Sequence, residues 1–389
     1  MSDTLSRRDT LKQGGMMALG LVAPRWLSSI AHADLLRTAN GLGPPKDSVL
    51  VVCQLFGGND GLNTVVPWSN PTYYKLRPSL ALAESQVLKI NDHLGFHPAL
   101  AGLHQLYQQK KVAVIQGVGY PQPNRSHFKS LEIWQSASPE GKLKYGWIGR
   151  HFDTQAGHDR LNPVVALGLS TEKPLALNAK EASIPCFASL ADIEAMVGDP
   201  DAEAMLRRVQ GASAPAGSAD RVVQQANATA LDAMNALSDR LKGYQPKATY
   251  GTDPFGVGFR QIAQIVATSP QTRIVYFSTG GFDTHAKQAD AHQRLLKGFG
   301  DAVQAFQGEM EAIGRADKVM VLAFSEFGRR CYENASEGTD HGAAAPMFLI
   351  GKPVKGGLYG PMPDLANLQN GDLRYAIDFR EVYATALDS

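Results

Sequence analysis

Uninterrupted apolar runs alternate along the chain with stretches of helical period. Val49–Phe56, Val112–Ile115, Arg273–Phe277, Val319–Phe324 and Pro346–Ile350 are short, nearly free of breakers and rich in Val, Ile and Phe. Such runs are buried on both faces, as strands of a covered parallel sheet are. Phe96–Lys110 has helical period instead, with Leu100, Leu103, Leu106 and Tyr107 on one stripe and Pro98 in the first turn. Lys129–Ser136, Arg221–Leu241, Val257–Ala267 and Ala289–Ile313 read as further helices. In the second of these, Leu231, Met234, Leu237 and Leu241 share a face; in the last, Leu295, Leu296, Phe299 and Val303 do.

Strand–helix–strand units joined by short links call for parallel pairing and right-handed crossovers. The expectation is an α/β fold: a mostly parallel central sheet flanked by helices, in a single domain over residues 34–389. Residues 138–250 are the least sheet-like part and are expected as a partly helical insertion or cap. They carry short strands at Val164–Leu169 and Leu175–Leu177, a helix within Ala188–Val209 and a flexible loop at Gly211–Ser218. Asn63–Pro78, rich in Asn, Pro and aromatic residues, reads as a surface excursion. Ser79–Leu88 reads as a short helix or irregular segment, and His104, His151 and His158 as surface or packing groups.

The first 33 residues follow another logic. Arg7-Arg8 precede an apolar stretch from Gly14 to Ala23, and Ala31-His32-Ala33 supplies small residues for cleavage. That order of zones is an export signal of the twin-arginine type, and the apolar part is too short to span a bilayer. The twin-arginine export machinery is therefore an expected partner. A periplasmic or extracellular location after cleavage near Ala33 is the expected destination. The whole chain carries a formal charge of +1, which gives no basis for a nucleic-acid binder. Cys53 sits inside an expected strand as a small core residue, while Cys186 and Cys331 are left as a pair that sequence cannot join or separate. The last helical segment reaches Ser389 without a capping turn, and the expectation is that the natural chain continues.

Candidate chemistry lies where the strands end. Val49–Phe56 runs into Gly57-Gly58-Asn59-Asp60. Arg273–Phe277 runs into Gly280-Gly281-Phe282-Asp283-Thr284-His285. Val319–Phe324 ends in Ser325-Glu326, followed by Asp340-His341 before the next apolar run. Open α/β sheets place their sites outside the carboxyl ends of the strands. Asp60, Asp283, His285, Glu326, Asp340 and His341 are thus the candidate ligands of a divalent metal, zinc, manganese, iron, magnesium or calcium. After Val112–Ile115 come Asn124, Arg125, Ser126 and His127 at the start of a helix. Ser126 reads either as a cap or as a nucleophile, Arg125 as a fork for an anionic group, and His127 as a neighbouring catalytic group.

Five separated motifs in order carry a resemblance over essentially the whole chain. FGGNDGLNTVVP (Phe56–Pro67), YPQPNRSHFKSLEIW (Tyr120–Trp134), GGFDTHAKQ (Gly280–Gln288), SEFGR (Ser325–Arg329) and TDHG (Thr339–Gly342) resemble the exported domain-of-unknown-function family 1501. That family is similar in turn to the alkaline phosphatase and sulfatase superfamily. The resemblance implies metal binding by Asp60, Asp283, His285 and His341, and Ser126 as the nucleophile. It implies an Asp-His pair where this chain has Glu326-Phe327, so one imidazole is missing there. The sulfatase Cys-x-Pro-x-Arg pattern is absent, which disfavours sulfatase chemistry proper. The resemblance points to a metal-dependent hydrolase of phosphate or sulfate esters acting on a small anionic ester. The alternatives are a non-catalytic binding or assembly protein on the same scaffold, and a peptide or glycan hydrolase using Ser126 with His127 or His341.

Overall fold

The computed structural model describes residues 47–155, 161–197 and 219–388, with isolated positions between 199 and 215. The expected export signal, residues 1–33, lies outside the described residues, as does His158.

Among the described residues, nine strands form the main sheet. They are β1 (Val49–Leu55), β2 (Val112–Gly119), β3 (Ala166–Leu169), β4 (Cys186–Phe187), β5 (Ile274–Thr279), β6 (Val319–Phe324), β7 (Ala345–Ile350), β8 (Gly357–Tyr359) and β9 (Ile377–Asp378). Their order across the sheet is β8-β2-β7-β6-β1-β5-β3-β4, with β9 paired to β2. Every pairing is parallel except those of β7, which runs against both β2 and β6. The fold is α/β with a mostly parallel central sheet, as the apolar runs require.

Alternate residues of each central strand feed two separate cores, because successive side chains leave a strand on opposite faces. Val49, Val51, Cys53 and Leu55 face one; Leu50 and Val52 face the other. The first core is closed by α1 (Ala101–Gln108), α4 (Leu190–Val197), α5 (Ala219–Leu241), α6 (Pro254–Thr268) and α7 (Gln288–Ala312). The second is closed by α2 (His127–Ser136), α3 (Trp147–Gln155) and α8 (Phe379–Asp388). The α1 stripe holds: Leu103 and Leu106 are buried, each burial contributing roughly 1.5–3 kcal/mol. The expected helix from Phe96 is shorter than its period suggests. Gly95–Phe96 pairs as a strand, and a 3-10 turn at Pro98–Leu100 leads into α1.

Two expectations are corrected here, and a third is refined. The partly helical insertion is present, carrying α3, α4 and α5, and its strands β3 and β4 extend the main sheet beside β5. Leu175–Leu177 is a 3-10 turn, with Ala176 and Leu177 packing into the second core without strand pairing. Asn63–Pro78 is no surface excursion: Val65, Val66, Tyr73 and Arg77 are all buried. Leu62, Val66, Tyr73, Val87, Cys331 and Leu365 form a third, smaller core there. Cys331 lies in that core and Cys186 in β4, and both are free thiols.

The reversed strand matters most for function. A parallel sheet brings the exits of β1, β2, β5 and β6 to one edge. Because β7 runs the other way, its start lies at that same edge, and the residues leading into it join the four exits.

Candidate metal centre

His127 Nε2, Asp283 Oδ1 and His341 Nε2 lie at one point of this edge, close enough together for one ion to touch all three. His127 opens α2 after β2, Asp283 follows β5, and His341 precedes β7. Asp283 Oδ1 is the centre of the group. His341 Nε2 and His285 Nε2 each stand 3.0 Å from it, and His127 Nε2 stands 3.5 Å away. The two nitrogens of His285 and His341 are themselves 2.9 Å apart.

The other nitrogen of each ring is already committed. His127 Nδ1 donates to Glu326 Oε1 at 2.7 Å, His341 Nδ1 to the carbonyl of Arg125 at 2.7 Å, and His285 Nδ1 to Asp340 Oδ1 at 3.3 Å. A carboxylate or carbonyl oxygen only accepts, so each Nδ1 carries the hydrogen. In the neutral ring that leaves a lone pair on Nε2. Three lone pairs and a carboxylate oxygen then face one another. His127 Nε2 is buried without any hydrogen-bond partner. Acceptors set against acceptors require positive charge between them, from protons on the rings or from a cation. The set of His127, Asp283 and His341, two imidazole nitrogens and one carboxylate oxygen with His285 beside it, fits a divalent metal, and the Nδ1 contacts are those that orient metal-bound histidines.

Electrostatics agree with the geometry. Burial raises the Asp283 carboxyl, but the hydrogen bond from Arg329, the His341 contact and the guanidinium charge outweigh it and hold the group well below the usual range. The hydrogen bond to Glu326 raises His127, whereas burial lowers His341.

Arg329 assembles this edge, a role that sequence reading missed. Its buried guanidinium donates to Asp283 Oδ1 (2.8 Å), to the carbonyls of Gly58 (2.7 Å), Phe282 (2.9 Å) and Thr339 (2.7 Å), and to that of Gly57. The turn after β1, the turn after β5 and the segment before β7 are thereby tied to one residue. Gly57 makes the approach possible. Its φ is +120°, and a Cβ there would sit 2.5 Å from the Asp283 nitrogen. The only sequence signal for Arg329 was its place in SEFGR.

The remaining predicted site residues take other places. Glu326 and Asp340, expected as ligands, instead hold the Nδ1 sides of His127 and His285. Glu326 is fully buried and also accepts from the Gly57 nitrogen at 2.9 Å. Asp60 stands apart from the cluster. Its Oδ2 accepts from Arg77 Nη1 and from Gln288 Nε2, both at 2.5 Å, and its Oδ1 caps the turn at Asn63. Burial opposes the Asp60 charge, but Arg77 more than offsets it and keeps the carboxyl below its ordinary value. Arg125 does not present an open fork, because Nε and Nη2 both bind Asp372 Oδ2. Ser126 is exposed at the start of α2, and its hydroxyl caps no backbone N–H. Phe327 stands where the resemblance implied a histidine. The ring of His127 lies 4.8 Å from it, centroid to centroid, and that of His341 4.7 Å.

Among solved structures, the chain is similar to the C-terminal periplasmic domain of EcEptC from Escherichia coli in complex with Zn. The TM-score is 0.37 and the identity 10%, over 80% of this chain and 74% of that one. It is also similar to a protein in the alkaline phosphatase superfamily from Vibrio parahaemolyticus (0.36, 7%, 82% and 64%). A third likeness is to the PsFucS1 sulfatase from Pseudoalteromonas sp. (0.38, 10%, 94% and 72%). No curated protein matches in sequence. A family model described as a protein of unknown function matches residues 46–388.

Proposed function

The chain belongs to the DUF1501 family, proteins of unknown function, and we propose that it is an exported, metal-dependent hydrolase of phosphate or sulfate esters. The observation that carries this reading is the convergence of His127 Nε2, His341 Nε2 and Asp283 Oδ1, with His285 Nε2 beside them and every Nδ1 committed elsewhere. His127, Asp283, His285 and His341 would hold the ion, and Glu326, Asp340 and the Arg125 carbonyl would keep the rings turned toward it. A divalent ion bound there supplies a Lewis acid for an oxygen of the ester.

Ser126 is the nucleophile in this reading. It directly precedes His127, it is exposed, and its hydroxyl is not used as a helix cap. Half of the Asp283 side chain and nearly half of His285 are also open to solvent, so an ester can reach the cluster. The Arg7-Arg8 signal pattern supports export to the periplasm or beyond, by the twin-arginine route.

A non-catalytic binding protein is the second reading. It is favoured by Arg125, whose fork is closed on Asp372 and so does not grip an anion. The deciding experiment uses the chain from residue 34 onward, metal-loaded and chelated, with p-nitrophenyl phosphate and p-nitrophenyl sulfate. Turnover that vanishes on chelation, in Asp283→Ala and in Ser126→Ala, while Ser126→Ala keeps its metal, is the expected result. Metal uptake with no turnover of any ester would favour the binding protein. Turnover unchanged in Asp283→Ala would sink the metal reading.

A further inference from the structure

The carboxylates along this sheet edge divide into two kinds, and the division fixes what the edge can bind. Asp60 is neutralised from within. Its side chain and that of Arg77 are both fully buried, 2.5 Å apart. Arg77 is in turn held by Asn63 Oδ1 at 2.9 Å and by the carbonyls of Cys331 and Arg330, each at 2.9 Å. Both Asp60 oxygens accept hydrogen bonds, and the side chain is closed to solvent by its burial. Glu326 is likewise spent: Oε1 on His127 and Gly57, Oε2 on the Ser325 hydroxyl at 3.2 Å. Asp340 Oδ1 is shared between His285 and Asn334. Around Asp283, whose Oδ1 accepts from Arg329, the Nε2 atoms of His285 and His341 face each other with no hydrogen between them, and His127 Nε2 has no partner.

We infer that the edge takes one divalent ion of the nitrogen-preferring transition series, zinc being the type, and has no place for a second ion or for magnesium or calcium. The inference rests on the metal-binding reading above and makes it narrower. Two imidazole nitrogens to one carboxylate oxygen, with His285 Nε2 beside them, is a donor set for zinc and its neighbours. Magnesium and calcium call for oxygen-dominated shells. Two cations side by side need several carboxylates to offset their charge. Here Arg77 already supplies the positive charge that Asp60 requires, and both side chains are fully buried.

Metal analysis of the chain from residue 34 onward tests this, after separate equilibration with zinc, magnesium and calcium and exhaustive dialysis. One equivalent of zinc retained by the wild type, lost in Asp283→Asn and retained in Asp60→Asn, with magnesium and calcium removed by dialysis, is the expected result. Two equivalents of zinc in the wild type, or retention of calcium or magnesium in place of zinc, overturns the inference and leaves the metal-dependent reading standing. No retained metal of any kind overturns both. The wild-type stoichiometry decides the matter even if Asp60→Asn fails to fold.

Discussion

Nε2 of His341 lies 3.0 Å from Oδ1 of Asp283, and the two residues reach that contact from opposite directions along the sheet. Asp283 leaves the end of β5, while His341 approaches the start of the reversed β7. The contact depends on one strand running against its neighbours. Replacing either residue removes a donor atom from the cluster and leaves the strands intact. His341→Ala should lower zinc affinity by about 10-fold or more, with the thermal midpoint of the metal-free protein nearly unchanged. Competition against a chromophoric chelator measures the first, and differential scanning calorimetry the second.

Glu326 acts on the cluster through His127. Oriented Nδ1 contacts of this kind tune metal affinity by about 10–100-fold. Glu326→Gln keeps the size and an acceptor for Gly57 but removes the charge opposite His127 Nδ1. Zinc affinity should fall within that range while one equivalent still binds at saturation. Unchanged affinity in the chelator assay would show that Glu326 serves only the turn after β1.

The Asp60–Arg77 pair should behave as a structural element. Removing one member of a buried ion pair strands the other charge and costs about 3–5 kcal/mol. Arg77→Met should destabilise the metal-free protein by that amount in urea unfolding. Loss of zinc from the folded variant, without loss of stability, is the outcome that would count against this assignment.

Two buried histidines set an acid limit on stability. Burial lowers His292 to about 3 and His97 to about 4, the charge of Asp60 opposing in each case. His292 Nε2 donates to Asn59 Oδ1 at 2.9 Å, and His97 Nδ1 accepts from the Ala99 nitrogen at 3.0 Å, so both rings sit neutral in the fold. The unfolded chain protonates them near pH 6.5, before the folded chain does. Stability from each is therefore complete above that pH. It falls as the pH drops toward the folded values, by up to about 1.4 kcal/mol per pH unit per histidine. Urea midpoints at pH 7 and pH 5, with chelator present, should show the loss. His292→Gln should make it smaller, and an unaltered slope in that variant would contradict the assignment.

The legibility of the site followed a physical rule. Apolar runs marked β1, β2, β5, β6 and β7, because a strand buried on both faces can hold few polar residues. The acids and histidines after them were visible for the same reason: each stands where the run ends. What each one touches was not visible. Glu326 and Asp340 have the side chains of ligands, and only the position of the Nδ1 atoms beside them gives them a supporting place. His127, read as a catalytic neighbour of Ser126, lies with Asp283 and His341 in the group that could hold an ion. Arg77 stood in a polar, aromatic stretch that reads as surface, so nothing in the sequence foretold that it neutralises Asp60.

By itself, then, the sequence determined the layered α/β fold, the edge at which chemistry gathers and the residue types available there. Hydrophobic period and strand-end composition are local properties, and a chain carries them in its order of residues. Tertiary structure alone decided that β7 is reversed, that Arg329 draws three connecting segments together, and which oxygen or nitrogen atom faces which. Those are contacts between residues far apart in the chain, such as Arg329 with Gly58 and His127 with Glu326. Hydrogen bonds and ion pairs are set by ångström-scale distance and direction, which exist only once the strands have packed.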